Sequence, residues 1–368
     1  MYIMTFVSSC FLLYLADKKQ FKNVNSFLVI IALLIPSIIA GVRDYTIGTD
    51  VLLYGNNWFE KAVSYDSMYQ YVLKAKEYSV GMGYATVNYV VSRFSHSPHM
   101  FYFIYELLQL TVLYRALQVY KDKIDISYAF LVYYFLFFNN SLNILRQAMA
   151  IVLVLYSYKF AKNNKILKFV ITIIVAYSFH SSAVVGAVIY PICWAYSRSF
   201  TKKWIKPTIV IGSISVMVGY RMIFDMLSKI NLILGARYEK YLIQDIIGGR
   251  YLGLGYWIVI VLFLINTRKK GQKKFEDFNT ISTFLCISAT ISILPFFGSA
   301  LLSRISFYFD IFQVVLLPIV SMNLRIRFGN ERNTYFVRKM TVLLPIIVYW
   351  IIAYIVRNGA HTYPYLFM

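Results

Sequence analysis

Apolar runs of about twenty residues recur from one end of the chain to the other, and runs of that length are typical of membrane-spanning helices. Hydrophobic residues make up 59% of the 368 residues, whereas charged residues make up only 14%. A helix satisfies its own backbone hydrogen bonds, so it can cross lipid where irregular chain cannot. The sequence therefore predicts an all-α, polytopic integral membrane protein that forms one domain over residues 1–368.

Basic loops separate the apolar runs, and such loops mark the cytoplasmic side of a membrane protein. Six of them lie at about residues 18–22, 115–123, 159–168, 198–206, 268–274 and 325–339. Between them we predict about twelve transmembrane helices, with both termini outside, near residues 2–16, 26–43, 98–118, 126–140, 145–160, 168–183, 184–197, 208–222, 253–267, 280–298, 304–321 and 340–356. The short apolar stretch 84–95 is interpreted as re-entrant or interfacial.

The formal net charge of +21 comes from 37 basic residues against 16 acidic ones. Nucleic acid could explain such a charge, but the chain has no soluble domain to present a binding surface, so we expect no nucleic-acid partner. The predicted cytoplasmic loops hold 24 basic residues, of which seven are arginine, whereas eight of the other 13 are arginine. The planar fork of arginine suits phosphate or carboxylate, and the outer side is therefore expected to recognise an anion.

Two larger extracytoplasmic loops are predicted, at about residues 44–83 and 223–252. Both combine aromatic rings with carboxylates, as carbohydrate-binding surfaces do, although Tyr and Trp also gather at bilayer interfaces without any ligand. The candidate sugar-binding residues in and beside these loops are Tyr54, Trp58, Tyr84, Arg237 and Tyr238.

Three arginines, Arg43, Arg146 and Arg304, lie at the outer ends of predicted spans. Arg146 follows the polar segment Asn139-Asn140-Ser141-Leu142-Asn143, and a polar cluster in so short a connection indicates a cavity. The alternative is that Arg146 extends to lipid headgroups. Arg43 could bind a phosphate or pair with Asp44 or Asp50.

His180 lies near the outer end of its span, within Tyr177-Ser178-Phe179-His180-Ser181-Ser182. It is either a satisfied polar group or a base, because histidine titrates in the useful range. Asp310 lies in an apolar run, so we expect it to face the bundle interior or pair with a neighbour. The sequence has no Asp-x-Asp pair, His-Glu-x-x-His motif or Gly-rich phosphate loop, so a metal-dependent sugar-nucleotide transferase or an ATPase is not expected.

Several segments share a recognisable polar and aromatic pattern, namely Gly41–Asp50 with Tyr54, Gly81–Tyr84 with Asn88, Ile144–Ala150, Ala176–Ala183 with Tyr190-Pro191, and Tyr363-Pro364-Tyr365. Together they resemble the EpsG family of Wzy-type polysaccharide polymerases. The resemblance covers essentially the whole chain and is most specific over Gly41–Asp50 and over 144–191. Residues 200–300 are similar mainly in hydropathy.

The resemblance implies a glycosyltransferase that polymerises oligosaccharide repeat units linked to undecaprenyl diphosphate, at the outer face of the bacterial cytoplasmic (inner) membrane. The products of such enzymes are O-antigen, capsule or exopolysaccharide. The resemblance also implies a relation to GT-C-like polymerases and ligases, and a metal-independent mechanism without a cofactor. A chain-length regulator and a flippase are the implied partners, beside the lipid bilayer itself.

Within that mechanism we expect Arg43, Arg146 and Arg304 to hold the diphosphate, whose negative charge grows as the glycosidic bond breaks. His180 is the first choice for the base that accepts the proton of the acceptor hydroxyl, with Asp50 or Glu77 as substitutes. Two other function classes stay open. A flippase for the same lipid would need charge along its whole path, and a membrane acyltransferase would need a reactive histidine with a cytoplasmic cofactor route.

Overall fold

The computed structural model describes residues 1–18, 23–198, 202–230, 250–267, 275–293 and 300–368. Apart from turns, irregular segments and two isolated β-bridges, these residues are helical, which confirms the all-α prediction. The chain divides into two compact units, and each is described by itself. The first comprises Met1–Ala187 with Ile346–Met368, and the second comprises Val188–Pro345. A single membrane domain over 1–368 stays a prediction.

The first unit contains ten α-helices before residue 180. In chain order they are α1 (Tyr2–Ala16), α2 (Asn25–Gly41), α3 (Asn57–Ser64), α4 (Met68–Glu77), α5 (Met82–Ser92), α6 (Pro98–Leu117), α7 (Ile126–Tyr133), α8 (Asn139–Asn143), α9 (Leu145–Lys162) and α10 (Ile166–Phe179). The longer ones coincide with apolar runs of the sequence, and α6 begins at Pro98, a residue suited to the first helical turn.

The described helices that follow α10 are α11 (Ile189–Arg198), α12 (Lys202–Ile230), α13 (Arg250–Ile265), α14 (Phe278–Ile293), α15 (Ala300–Asp310), α16 (Gln313–Asn323) and α17 (Glu331–Trp350). Inside the second unit, Asp310 is buried and accepts hydrogen bonds from the Ser306 and Ser288 hydroxyls, the former at 2.9 Å. The prediction that Asp310 faces the interior or pairs with a neighbour is confirmed. Lys206 donates to Ser282 Oγ at 2.6 Å in the same unit.

One described helical stretch, Glu331–Val356, is both long and apolar enough to cross a membrane. A second candidate arises if Arg304–Asp310 and Gln313–Asn323, which bend by 47° at their junction, count as one span. Other apolar helices are shorter, with 10 to 17 residues. This test rests on length and composition within the described residues, and the twelve crossings stay a prediction.

The helix α5 covers most of the short apolar stretch 84–95, whose interpretation as crossing or re-entrant affects the predicted topology. Its 11 residues extend about 16 Å, roughly half of the hydrocarbon thickness of a bilayer. Asn88 on this helix is buried, and its side-chain amide donates to the Tyr84 carbonyl at 3.0 Å. The length of α5 favours the re-entrant or interfacial interpretation of 84–95.

Hydrogen bonds tie the C-terminal part of the chain to the polar segment after α7. Trp350 Nε1 donates to Asn139 Oδ1 at 2.7 Å, and Asn139 Nδ2 donates to Thr362 Oγ1 at 2.8 Å. Asn140 Nδ2 donates to the Tyr354 hydroxyl at 2.7 Å. Both asparagines are thus held by side chains that follow α17 or end it.

The same C-terminal residues bond to the backbone of the loop after α2. Asp44 N donates to the Leu366 carbonyl at 2.9 Å, and Gly48 N donates to the His361 carbonyl at 2.8 Å. The loop that carries the most specific sequence segment therefore has a fixed backbone on one side. Its other side contacts the residues described next.

Candidate functional site

Three short segments meet in the first unit, at residues 48–56, 79–84 and 141–146. Gly48 has a left-handed backbone with φ +89°, and a Cβ at this position would lie 2.7 Å from the Leu142 carbonyl oxygen. Only glycine allows this conformation and this approach without strain. Next to it, Asn143 Oδ1 accepts hydrogen bonds from Thr49 Oγ1 at 3.0 Å and from the Asp50 backbone N at 3.3 Å.

Irregular helix geometry orients the side chains of this region. A π-helical segment, Val51–Asn56, carries Tyr54, and another, Tyr134–Phe138, precedes α8. Such segments are frequent at functional sites, because the extra residue per turn redirects the side chains that follow. Between α8 and α9, Ile144 leaves the helical conformation with φ −88° and ψ 54°. This break sets the direction in which α9 begins, and Arg146 is its second residue.

Arg146 is half-buried, and its guanidinium carbon lies 3.8 Å from the centre of the Tyr54 ring. Its Nη1 donates a long hydrogen bond of 3.3 Å to the Ser79 carbonyl. Its Nε is buried without a hydrogen-bond partner, and no described carboxylate forms an ion pair with this arginine. Among the described residues, Arg146 is therefore held by an aromatic face rather than by an ion pair.

Arg43 is placed very differently, since its side chain is fully buried. Its Nη1 donates to the Leu142 carbonyl at 2.7 Å, and its guanidinium lies 4.3 Å from the centre of the Tyr102 ring. Its Nε and Nη2 have no hydrogen-bond partner. Asp44 does not pair with it. That carboxylate accepts the Thr46 hydroxyl at 2.6 Å and the Thr46 backbone N at 2.9 Å, which lowers the pKa of Asp44.

Glu106 is a buried carboxylate in the middle of α6 that the sequence analysis did not single out. Both of its oxygens lie 3.2 Å from the Ser141 hydroxyl, whose single proton is shared with the Phe138 carbonyl at 2.8 Å. Glu106 lies near Arg43, but the two side chains form no ion pair in this structure. A lone carboxylate within an otherwise apolar 20-residue helix is the signal that could have identified it.

The three predicted bases occupy different surroundings. Asp50 and Arg146 both act electrostatically on the Tyr84 hydroxyl, so the two charges share one neighbour. Glu77 lies on the exposed end of α4, where it forms a 2.9 Å ion pair with Lys74.

The third candidate base, His180, ends α10 and is half-buried, and its Nδ1 is 2.6 Å from Ser182 Oγ. A Cβ on Gly81 would lie 2.3 Å from the Phe179 carbonyl oxygen, so residue 81 packs against the end of α10. Because Arg146 binds Ser79, the arginine and the end of α10 contact the same short segment. That segment links the surroundings of Arg146 and His180.

The predicted sugar-binding aromatic residues differ in accessibility. Tyr54 is partly exposed and stacks on the arginine. Tyr84 is fully buried beside Phe101, and its hydroxyl donates weakly to the Tyr54 carbonyl at 3.5 Å. Burial raises the pKa of Tyr84, which keeps its hydroxyl protonated. Trp58 is also buried and accepts the Tyr71 hydroxyl on its carbonyl at 2.7 Å. In this structure, Trp58 and Tyr84 pack within the unit.

The remaining predicted site residues are not among the described residues of the first unit. Arg304 lies on α15 in the second unit. Arg237 and Tyr238, with most of the predicted loop 223–252, lie outside the described residues. The parts of the chain that the structure describes contain no group of three His, Cys, Asp or Glu side chains able to hold a metal ion. The structure thus brings together Arg43, Arg146, Asp50 and Tyr54.

Comparison with known proteins identifies one family. The family model described as EpsG matches residues 3–367, which is essentially the whole chain and includes every segment that converges at this site. No curated protein matches the sequence, and no solved structure matches it. The match confirms the resemblance that the sequence segments indicated. The chain therefore belongs to the EpsG family, whose members are Wzy-like polysaccharide polymerases.

Proposed function

We propose that this chain polymerises oligosaccharide repeat units linked to undecaprenyl diphosphate, at the outer face of the bacterial cytoplasmic membrane. Family membership supports a polysaccharide polymerase that acts in surface polysaccharide biosynthesis. The observation that carries the finer proposal is Arg146, a partly accessible arginine that stacks on Tyr54 and forms no ion pair with any described carboxylate. A guanidinium held in this way favours a phosphate-bearing ligand.

The reaction transfers a growing chain from its lipid diphosphate to a new lipid-linked unit. A hydroxyl at the non-reducing end of the new unit attacks the anomeric carbon of the chain, and the bond from that carbon to the diphosphate oxygen breaks. The proton of the hydroxyl passes to a protein base, and the electron pair of the broken bond leaves on undecaprenyl diphosphate. Arg146 stabilises the charge that accumulates there, which is the metal-independent route.

Asp50 is the best-supported candidate for the base. Its backbone is held by Asn143, three residues before Arg146, and its charge and that of Arg146 act on the same tyrosine. A base so placed would lie beside the sugar whose diphosphate Arg146 binds. Glu77 is engaged by Lys74 at the surface, which argues against it, while His180 stays the alternative base.

The test is the length of the surface polysaccharide in a strain that lacks the gene and carries Arg146→Ala or Asp50→Asn, each at normal membrane abundance. We expect surface lipid that carries a single repeat unit, instead of the ladder of long polysaccharide chains that a gel shows for the wild type. Arg93→Ala is the matched control, because Arg93 also donates to a backbone carbonyl, that of Ala62 at 2.6 Å, and lies over an aromatic ring. That control should preserve the ladder.

The same gel separates the polymerase from the other function classes. Loss of a flippase would leave no repeat unit on the outer face, and loss of an acyltransferase would keep the ladder while changing its acyl content. Long chains made by both site variants would contradict the proposed site. An absence of translocated units would contradict polymerisation itself.

A further inference from the structure

Three consecutive residues before Arg146 are each fixed by a different part of the first unit. The hydroxyl of Ser141 donates to Glu106 on α6, and the carbonyl of Leu142 accepts from Arg43 after α2. The side chain of Asn143 accepts from the loop at Thr49 and Asp50. We call this segment, Ser141–Asn143, the anchored turn.

The anchored turn is buried along its length, as are the two charged groups that hold it. Ser141 is 1% exposed and Leu142 is 0% exposed, while Glu106 and Arg43 are 2% and 0% exposed. A diphosphate therefore has no open route to the Arg43 guanidinium in this structure. The Tyr102 ring covers that cation at 4.3 Å from its centre, and the Leu142 carbonyl accepts from it.

We propose that Arg43 and Glu106 are positioning residues: their buried side chains fix the anchored turn, and the turn fixes Arg146 and Asp50 relative to one another. This inference rests on the proposed function for what Arg146 binds. Arg43 thereby acts through Leu142 and does not touch the diphosphate, contrary to the role that the sequence indicated for it.

The contacts of the two groups explain how they serve this purpose. The Leu142 carbonyl of α8 binds Arg43 after α2, and Ser141 of α8 contacts Glu106 on α6, so α2, α6 and α8 are favoured in the arrangement that keeps these buried polar groups bonded. A guanidinium also reaches a backbone carbonyl with directed N–H donors, which an ammonium cannot do with a fixed geometry. The arrangement of three helices is in this way coupled to the start of α9.

A double-mutant cycle on ligand affinity tests the proposal. Purified full-length protein is titrated with undecaprenyl diphosphate, and Arg146→Ala should weaken binding about tenfold or more. Arg43→Gln should weaken binding in the wild-type background but by less than about twofold in the Arg146→Ala background, because it acts through the same arginine. Equal losses in both backgrounds would show direct contact between Arg43 and the diphosphate, and would overturn the proposal.

A second measurement needs no ligand. Hydrogen exchange reports on the Ile144 and Ala148 amides, which bond to the Asn140 and Ile144 carbonyls at 2.8 Å each. Arg43→Gln and Glu106→Gln should raise exchange here about tenfold, whereas Arg93→Gln should not.

Unchanged exchange in both anchor variants would refute the positioning role. If either variant fails to accumulate, Thr49→Val and Ser141→Ala each remove one hydroxyl that holds the same turn and give the same readout. A wild-type protein that does not bind undecaprenyl diphosphate, with exchange raised as expected, would contradict the proposed function and leave the positioning role supported.

Discussion

Replacing Arg146 with alanine should leave the stability of the protein almost unchanged. The variant loses the stack on Tyr54, which contributes about 0.5–2 kcal/mol, and one long hydrogen bond to Ser79, which contributes about 0.5–1.5 kcal/mol. It also removes the buried, unpaired Nε, whose desolvation costs about 1–3 kcal/mol. The gains and losses nearly cancel, so the free energy of unfolding should change by about 1 kcal/mol or less.

The effect on glycosyl transfer should be far larger. Removing one preorganised donor from a developing negative charge typically costs about 2.7–4 kcal/mol in the transition state, or a factor of about 10²–10³ in rate. Arg146→Lys should recover only part of the lost rate. Lysine keeps the charge but lacks the planar group that stacks on the ring and the forked pair of N–H donors. A large loss of rate together with a small change in unfolding free energy is what a residue that binds the reacting group should show.

The assay compares thermal unfolding with single-turnover transfer in purified full-length protein. The donor and acceptor are lipid-linked repeat units extracted from a strain that lacks the gene. Arg93→Ala is measured in parallel as the control arginine outside the site. A fall in the unfolding temperature by many degrees, with transfer lost in proportion to folded protein, would identify Arg146 as a structural residue. Transfer within about tenfold of wild type would refute its role at the diphosphate.

Substitutions at three further positions probe the surroundings of this arginine. Gly48→Ala should lower both thermal stability and polymer length. A side chain at this positive φ costs about 1–2 kcal/mol, and the new Cβ meets the Leu142 carbonyl. Polysaccharide of wild-type length would show that this contact is not needed. Trp350→Phe leaves Asn139 Oδ1 without its donor and should lower the unfolding free energy by about 1–3 kcal/mol, measured by chemical denaturation, whereas an unchanged midpoint would contradict that bond. Tyr54→Phe should keep polymer length because the ring face remains, while Tyr54→Leu should shorten it; equal ladders would exclude the stack from function.

The positions of several helices could be predicted because apolar runs end at residues that stop or start a helix. The runs predicted at 2–16, 98–118 and 145–160 agree closely with Tyr2–Ala16, Pro98–Leu117 and Leu145–Lys162. Breaks inside other runs could not be predicted. The run at 126–140 changes to a π-helical segment after Tyr133, and the run at 304–321 bends near residue 311. Hydropathy does not change at these points, so it cannot predict a π-helical segment or a bend in the helix.

The sequence could predict the parts of the site that side chains form. It could not predict the contacts that backbone groups make. The asparagines and serine before Arg146 indicated a polar cavity, and the structure brings Asp50 and Tyr54 to the same place. The acceptor that holds Arg43, however, is the Leu142 carbonyl, and no leucine side chain signals such a role. Glu106 did carry a signal, since an acid within an apolar helix needs a partner. Its importance becomes evident only with Ser141 and Arg43 beside it.

Arg43 and Arg146 show why residue type and position in the sequence do not decide function. Both lie at predicted outer span ends beside polar residues, and both lie over a tyrosine ring in the structure. They differ in accessibility and in what holds them: the fully buried Arg43 donates to the Leu142 carbonyl, whereas the partly exposed Arg146 forms no ion pair with a described carboxylate. An inaccessible cation can only hold the protein together, while an accessible one can exchange water for an anion. Adding an acid beside Arg146, for example by Ser79→Asp, should therefore abolish diphosphate binding without unfolding the protein. The measurable difference is a loss of binding at unchanged stability.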